Sequence, residues 1–379
     1  VRQMVFNDPV ITRYLATRQE ARVRELRASA ARRDAGLEAG LSFVDYLRAR
    51  ENLRIRRENL ELTRENLRLA RIRKQTGISG PRDVYRLRME LADAEKAVLQ
   101  ARSERDRALV ALNRNMGLPQ NREWKVIPVS AEDNGRSYLA KQWRPLLASR
   151  EPSTHARSRA VSTALAGSPE IEAAEHAVEA AEIRLGRTRR KLFAIPNLGV
   201  EYAYDRVLDS HRTGPETDPR DPTTPILRGI EESASSADDT ERSVALKAEL
   251  PLFQSGGKVY EVREARSRLA RLRAKRRMAA DAVEQRLRSS LEAMRSSYAG
   301  MDLSRESARF AEKNLELVQD EYARGEVGVI ELLDAQNRRA VLERKASVAE
   351  LDYIEDSLRF KRALSDLNGA RYAAGKRKS

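Results

Sequence analysis

The sequence of 379 residues is highly charged and poor in aromatic side chains, at 34% and 5% of its residues. This balance excludes an ordinary globular core and indicates long helices or coiled coil. The absence of cysteine excludes disulfides, thiol chemistry and cysteine-ligated metal sites. A net charge of +15 permits nucleic acid or anionic lipid as partners, but the basic residues are spread over all the predicted helices, which favours solvated helix faces.

The first residues and the hydropathy of the chain predict neither a signal peptide in this sequence nor a membrane-spanning helix. No apolar run reaches the ~18 residues that suggest a transmembrane helix. The first eight residues lack the charged start and the apolar block of a signal peptide. Because the chain opens without methionine, within a strand-like segment, we expect it to be a fragment or a processed form.

Residues 1–8 are predicted to be the end of a strand, and a long helix is predicted from about residue 11 to residue 76. A seven-residue repeat of Glu-Asn-Leu occurs inside this helix, beginning at Glu51, Glu58 and Glu65. Two apolar heptad lines accompany it: Leu53, Leu60 and Leu67, and Ile55, Leu62 and Leu69. Two such lines predict a helix that packs on neighbours along two seams. A second helix is predicted from Pro81 to about Met116.

The middle of the chain interrupts the helical pattern. Tryptophans and prolines between residues 120 and 165 predict an irregular insert packed on the outside of the helices. Helix resumes near Pro169 and is predicted to run to Phe193. Strands are then predicted at 197–208 and 242–253, joined by a polar surface loop, 209–241.

Both predicted strands alternate apolar and polar residues with a period of two. Such strands of about ten residues are typical of a transmembrane β-barrel, although half-buried strands of soluble sheets share the pattern. Because an isolated pair of strands is not stable, other strands must complete them, either from missing sequence or from other subunits.

The last part of the chain repeats the first. A long helix is predicted from residue 258 to about 323, with a heptad line at Leu303, Phe310 and Leu317, and a return helix from 329 to 367 that ends at Asn368-Gly369. The predicted divisions are a first strand-hairpin repeat (1–119), the irregular insert (120–165), a second repeat (166–369) with hairpin 258–369, and a basic tail (370–379).

Two glycine-rich turns join the long helices at the same spacing, 248 residues apart. The first contains Gly77, Gly80 and Asp83, and the second contains Gly325, Gly328 and Glu331. Glycine takes positive φ without cost, so both segments predict tight turns between helices. Glu331 and Asp334 stand three residues apart and share one helix face. On an exposed face, paired carboxylates favour a solvated surface or a ring around a pore over acid–base catalysis.

No catalytic or metal-binding constellation stands out. The three histidines, His155, His176 and His211, are scattered and do not share a helix face. The sequence contains no glycine-rich phosphate loop and no hydroxyl–histidine–carboxylate cluster. We therefore expect a non-enzyme without catalytic residues, without a cofactor and without an ATPase of its own.

Taken in order, these motifs resemble the TolC-like outer-membrane efflux protein family (outer membrane factors). The segments that carry the resemblance cover nearly the whole chain: Gly77–Val84, Gly325–Asp334, Asn66-Leu67, Asn314-Leu315, Leu250–Phe253 before Gly256-Gly257, and Ser168–Ile171. The resemblance implies a mainly α fold with two long antiparallel helical hairpins per protomer. Three protomers would form an α-barrel, and their strands would build one shared outer-membrane β-barrel.

The resemblance also implies a function. The protein would be a passive channel-tunnel in the bacterial outer membrane, with a long periplasmic portion, serving as the exit duct of a tripartite efflux or type I secretion system. Its expected partners are two further copies of the chain, a periplasmic adaptor (membrane fusion protein), an inner-membrane pump and outer-membrane lipid. Nucleic acid is not expected among them.

The resemblance assigns gating roles to the turns at the periplasmic end. Tyr322 and Asp83 match positions that link neighbouring hairpins and hold that end closed. Glu331 and Asp334 match acidic positions that ring the constriction, where three copies would favour cations. The adaptor would dock on Gly77, Gly80, Gly325, Gly328, Val84 and Leu332.

One position departs from the family pattern. Val327 stands where the best-known member of the family has a gate-linking arginine. Because Arg82 lies beside Asp83 on the other hairpin, we expect Arg82 to supply the cation of the closing network. The alternative is that Arg82 is simply a solvated residue in the first turn of its helix.

Two other functions compete with the duct. A soluble structural coiled-coil protein with a basic surface, binding nucleic acid through its arginines, accounts for the charge and the heptads. It does not account for the two alternating strands. A periplasmic adaptor would be expected to have one hairpin flanked by soluble β-domains, whereas this sequence predicts two hairpins.

Overall fold

The computed structural model describes residues 2–6, 8–124, 143, 145–148, 154–193, 197–206, 240–249 and 257–365. The predicted loop between the strands, apart from its last two residues, the segment Leu250–Phe253, Asn368-Gly369 and the basic tail lie outside these residues. The elements are β1 (Arg2–Phe6), α1 (Asp8–Gln75), α2 (Pro81–Asn115), α3 (Pro145–Ala148), α4 (Thr154–Gly167), α5 (Pro169–Arg190) followed by a 3₁₀ turn (Lys191–Phe193), β2 (Asn197–Arg206), β3 (Thr240–Glu249), α6 (Gly257–Arg324) and α7 (Val329–Ala363).

The long helices form two hairpins of equal dimensions. α1 and α6 each contain 68 residues, and α2 and α7 each contain 35. Both return helices begin after a glycine with extended backbone, Gly80 at φ −84° and Gly328 at φ −89°. Pro81 is at the first position of α2, where its missing N–H and fixed φ suit a helix start. The long helices predicted from the sequence are therefore confirmed, with ends that differ by a few residues.

The end of α7 corrects one prediction. α7 ends at Ala363, four residues before the predicted end at residue 367. Ser365 follows with φ of 61°, and it stands 248 residues after Gly117, whose φ is 67°. Glycine takes this left-handed conformation at the least cost, which is why the sequence pointed to Gly369. A serine occupies the position instead, and both return helices end in the same backbone geometry.

The three strands form one antiparallel sheet in the order β1-β2-β3. β2 and β3 pair over ten residues without a break, from Asn197 opposite Glu249 to Arg206 opposite Thr240. β1 pairs with β2 through a shift in register between Met4 and Phe6. The predicted strands are confirmed, although β3 begins two residues earlier than predicted. Residues 207–208 and 250–253, which were predicted to end the two strands, lie outside the described residues.

The predicted irregular insert, 120–165, contains a helix, which the sequence analysis missed. α4 begins two residues after Pro152 and continues to Gly167. Its buried residues, Ala160 and Ala164, stand four apart and present only a small apolar face. That face gives no heptad signal, and the nearby prolines masked the helical pattern. Trp143, also in the insert, is buried and meets Phe360 edge-on at 6.5 Å between ring centroids.

The chain divides into two compact units, residues 1–23 with 175–274, and residues 24–174 with 275–379. The first unit contains the sheet and a cluster of buried apolar residues shared by α5 and α6: Ala181, Leu185, Val262 and Leu269. The second unit contains the hairpin turns and several further clusters, of which one joins α4 to α6 and α7 through residues such as Leu287 and Phe360.

The predicted two-seam packing of α1 is confirmed. Leu53, Leu60, Leu67 and Ile55 are buried, and Leu62 and Leu69 are partly buried. The heptad line of α6 behaves differently, because Leu303, Phe310 and Leu317 are 61–66% exposed in the protomer. Among the described residues, no helix combines the length and the apolar character that crossing a membrane requires.

Candidate functional site: the hairpin tip

The two hairpin turns have the same hydrogen-bonding pattern. In the first, the N–H of Ile78 donates to the carbonyl of Arg73 at 2.9 Å, and in the second the N–H of Glu326 donates to the carbonyl of Glu321 at 2.9 Å. This six-to-one bond closes a helix end when the preceding residue is left-handed. Gly77 and Gly325 are those residues, with φ of 79° and 87°. The paired glycines of the sequence therefore build two equivalent turns.

One apolar cluster, which we call the tip cluster, joins all four helices next to the turns. Its buried members come from α1, α2, α6 and α7: Leu67, Ala70, Val84, Leu87, Leu315, Tyr322, Val329, Leu332 and Ala335. Burial of so many apolar side chains holds the two turns of one protomer together. Val84 and Leu332, which the sequence analysis placed in adaptor docking, have their side chains in this cluster.

Tyr322 lies at the centre of the tip and contacts an arginine that the sequence analysis did not select. Tyr322 is 0% exposed, and the guanidinium carbon of Arg73 lies 4.0 Å from its ring centroid. This cation–π contact links α6 to α1. Burial raises the pKa of the Tyr322 hydroxyl, the charge of Arg73 acts in the opposite sense, and Asp83 raises it further. The hydroxyl is thus held in its neutral form.

Arg73 carries polar atoms that find no partner among the described residues, since its Nε and Nη1 are buried and make no hydrogen bond there. The Tyr322 hydroxyl is also buried, next to the Arg73 guanidinium, without a hydrogen bond of good geometry. Arg73 is itself only 6% exposed. Unsatisfied buried groups of this kind are uncommon in folded proteins.

The second turn lies directly against the first. A Cβ added to Gly325 would meet Cγ2 of Ile78 at 3.2 Å and Nη2 of Arg73 at 3.7 Å. Two features therefore require glycine at position 325: its positive φ and the close approach of the Ile78 side chain. At Gly328 an added Cβ would lie 3.0 Å from a carboxylate oxygen of Glu331, because that carboxylate folds back over the start of α7.

Glu331 and Asp83 lie in the first turns of the two return helices, and Asp334 lies one turn further along α7. Glu331 and Asp334 are exposed on α7, and Asp83 is half-buried in the first turn of α2. Negative charge near a helix N-terminus is stabilised by the helix dipole. Arg82, beside Asp83, is exposed. The structure thus brings Tyr322, Asp83 and Arg73 into one region, while Arg82 and the carboxylates of α7 face solvent in the protomer.

A second feature missed from the sequence lies between α1 and α7. Asn59, Thr63 and Asn66 of α1 and Gln336 of α7 are 0–6% exposed, and we call these four residues the polar layer. The Gln336 amide donates to Thr63 Oγ1 at 2.6 Å and to Asn59 Oδ1 at 3.0 Å, and it accepts from Asn66 Nδ2 at 2.8 Å. Thr63 donates in turn to the Asn59 carbonyl at 2.8 Å.

The sequence held a weak signal for the polar layer and none for Arg73. Asn59 and Asn66 belong to the Glu-Asn-Leu repeat and stand next to the heptad leucines, where a buried position is expected. Arg73 is one of many arginines on α1, and its partner is 249 residues away. In the part of the chain that the structure describes, no cluster of three or more potential metal ligands occurs.

The chain is similar to known outer-membrane proteins. The sequence profile described as "outer membrane efflux protein" matches residues 160–365. Among solved structures, the chain resembles the outer-membrane channel OprN (15% identity, TM-score 0.72, covering 96% of this chain and 72% of OprN). It also resembles CusC, with 16% identity and a TM-score of 0.73 over 92% of this chain and 72% of CusC. The likeness to the MtrE outer-membrane channel of Neisseria gonorrhoeae has 20% identity and a TM-score of 0.69, over 94% of this chain and 71% of MtrE. At these identities the likeness shows a common fold. No protein of curated function matches the sequence.

Proposed function

Because the chain belongs to the outer membrane efflux protein family, we propose that it forms the passive exit duct of a tripartite efflux or type I secretion system. The duct would be located in a bacterial outer membrane, with its helical hairpins in the periplasm. The observation that carries this proposal is the pair of equal hairpins whose turns pack into one tip. Such a tip, repeated around an axis, can narrow a tunnel.

The sheet supports a role in the membrane. β2 and β3 contain ten residues each, the length that a tilted strand needs to cross a bilayer. Their continuous antiparallel pairing provides a unit that other copies could extend into a closed barrel. In this proposal each protomer contributes its strands to one shared barrel.

The exposed heptad line of α6 supports assembly into a trimer. Leu303, Phe310 and Leu317 form an apolar stripe that no other part of the described protomer covers, since each is more than 60% exposed. α2 also exposes large apolar residues, including Tyr85, Met89 and Leu99. Two different apolar faces on one chain allow a head-to-tail contact, and such contacts close into a ring when the rotation permits.

The tip cluster supports a gate at the periplasmic end. Tyr322 with Asp83 would hold the two hairpins together, and Arg73 stacks on the tyrosine ring. Glu331 and Asp334, exposed on α7, would form the acidic ring of the constriction in the trimer. In a narrow pore, rings of carboxylates favour cations and slow anions.

The turns are the proposed docking site of the adaptor. Gly77, Gly80, Gly325 and Gly328 shape them, and Ile78 and Ile330 expose apolar surface there, at 54% and 55%. Val84 and Leu332 would support this surface from beneath, because their side chains lie in the tip cluster. Transport energy would come from the inner-membrane pump.

Sedimentation in detergent tests the assembly. We expect the protein to sediment as a trimer that requires detergent to remain soluble. A protein that is fully soluble without detergent and retards nucleic acid in a gel would instead support a coiled-coil protein with a basic surface.

The cation of the gate can be tested by conductance of the reconstituted protein. If Arg82 closes the tip with Asp83, Arg82→Ala should raise the resting conductance. Arg71→Ala, which removes another exposed arginine close to the first turn, serves as the control. An unchanged closed state in Arg82→Ala would refute the role of Arg82 and leave Arg73 as the cation of the tip.

A further inference from the structure

The apolar seam of α1 does not by itself determine how far α7 slides along it. The Glu-Asn-Leu repeat places equivalent leucines every seven residues, at Leu53, Leu60 and Leu67. A heptad repeat returns to the same face of a packed helix, so a shift by seven residues presents nearly the same surface. Such a shift moves one helix past the other by ~10 Å, given the helical rise.

The polar layer breaks this degeneracy. In the observed register Gln336 meets an asparagine, a threonine and a second asparagine of α1, and all of them bond to its amide. Seven residues away in either direction, asparagines recur at some of the equivalent positions, but the threonine does not. The positions are Asn52, Arg56 and Asn59 on one side, and Asn66, Ala70 and Arg73 on the other.

We infer that Gln336 is a positioning residue that determines the axial register of α7 against α1. In either shifted register, the buried amide would meet an arginine or an alanine in place of the Thr63 hydroxyl and would lose hydrogen bonds. A buried amide that leaves even one N–H or carbonyl group without a partner is disfavoured. Buried polar residues are best known for this use in helical assemblies, where one amide selects a single register.

The register matters because of what lies near Gln336 on α7. Glu331 and Asp334 precede it by five and two residues on the same rigid helix. Their height relative to the first hairpin turn therefore follows from the register of Gln336. The register of α7 can be inferred without the proposed function. Only the step from this height to the position of a constriction rests on the proposed function.

Cross-linking can measure the register directly, because the protein has no native cysteine. Arg339 of α7 lies 3.7 Å from Glu58, the middle glutamate of the repeat. Cysteine at Arg339 is combined in turn with cysteine at Glu51, Glu58 or Glu65 in the full chain, and a short bis-maleimide is added. Linkage to position 58 reports the observed register, and linkage to 51 or 65 reports a seven-residue shift.

With the polar layer intact, we expect linkage at position 58 only. In the double variant Asn66→Leu/Gln336→Leu, linkage at 51 or 65 should rise at least several-fold while the thermal midpoint stays close to that of the parent. In Gln336→Met, which keeps the length of the side chain, linkage at 51 or 65 should rise in the same way. This single variant provides the test if the double variant does not fold. Asn337→Leu, an equivalent change at the exposed neighbouring position, should leave linkage at 58 only.

Retention of a single register in both layer variants would overturn the inference and show that the apolar packing sets the register. Because cross-linking needs no transport, this outcome differs from a failure of the proposed function, which would show as a protein without conductance.

Discussion

Two glycines with the same backbone conformation have different surroundings at the tip. Gly77 and Gly325 both have positive φ, but an added Cβ at 77 meets nothing within 4 Å, whereas at 325 it meets Ile78 at 3.2 Å. Gly77→Ala should therefore cost about 1 kcal/mol from backbone strain alone. Gly325→Ala should cost about 2 kcal/mol or more, because Ile78 must also move.

Hydrogen exchange of the turn amides measures both costs. The Ile78 N–H in the first turn and the Glu326 N–H in the second each make the bond that closes their helix. The free energy of opening should fall further at the second turn in Gly325→Ala than at the first in Gly77→Ala. Equal losses of opening free energy in the two variants would mean that contact with Ile78 adds no strain at the second turn.

Glu170 at the start of α5 connects the stability of the protein to pH. Burial alone would raise its pKa, but hydrogen bonds from Arg362 and Ser168 outweigh burial and leave the pKa below its ordinary value. Arg362, 5% exposed, donates to Glu170 at 2.5 Å and to Asp34 at 2.7 Å. A carboxylate with a depressed pKa stabilises the fold above its unfolded-state pKa, and this stabilisation is lost as the pH falls through the folded-state value.

We expect Glu170→Gln to lower the free energy of unfolding by about 2 kcal/mol near pH 7, as one bond to a buried cation is weakened. Below about pH 4.5, where the unfolded carboxyl also binds a proton, the difference from the parent should shrink. Denaturant unfolding of both proteins between pH 3 and pH 7 measures this. A difference that stays constant over that range would contradict the assignment.

At the scale of the helices, the exposed apolar stripe of α6 predicts an assembly defect without a folding defect. Phe310 is 61% exposed in the protomer, so replacing it should not disturb the protomer core. Phe310→Asp would place a charge in the proposed contact between copies and should convert trimers to monomers in detergent. Helical content should be unchanged by circular dichroism.

Arg309→Asp provides the control for charge, because Arg309 is exposed on the same helix about 100° from the stripe. Its trimer should persist in the same sedimentation experiment. Trimers of normal stability in Phe310→Asp would show that the stripe is not the contact between copies.

The helices and turns were predictable because their signals are local. Heptad lines, Pro81 and the paired glycines mark the hairpins over short stretches of sequence, and α1, α2, α6 and α7 follow them closely. α4 was missed because its buried face consists of alanines, which give no contrast with their neighbours. The end of α7 was misplaced because Ser365 adopts a conformation for which glycine is the usual signal.

The contacts inside the tip were less predictable because they join residues that are far apart in the sequence. Arg82 was selected because it adjoins Asp83, whereas the arginine found on Tyr322 is Arg73, on another helix. Gln336 gave no sign that its partners would be polar residues of α1. Such pairs depend on the helix register, and the apolar repeat of α1 leaves that register open.

For the whole molecule, the two equal hairpins suggest one structural unit used twice with different surfaces. The turns share their hydrogen bonds and their glycine conformations. The carboxylates differ, because α7 carries Glu331 and Asp334 where the first hairpin has Asp83 and Arg86 at the equivalent positions. In the proposed duct, the second hairpin would therefore supply most of the negative charge at the constriction.

The most direct test of the duct is the ion selectivity of the full protein in planar bilayers. We expect discrete, cation-selective conductance steps whose selectivity weakens in Glu331→Gln/Asp334→Asn. The matched control is Glu90→Gln/Asp93→Asn, which removes two carboxylates at the same spacing on α2, farther from the turn. Selectivity that falls only in the first variant would establish an acidic constriction at the second turn. Absence of conductance from a well-folded trimer would contradict the channel itself, and steps unaffected by either variant would place the constriction elsewhere.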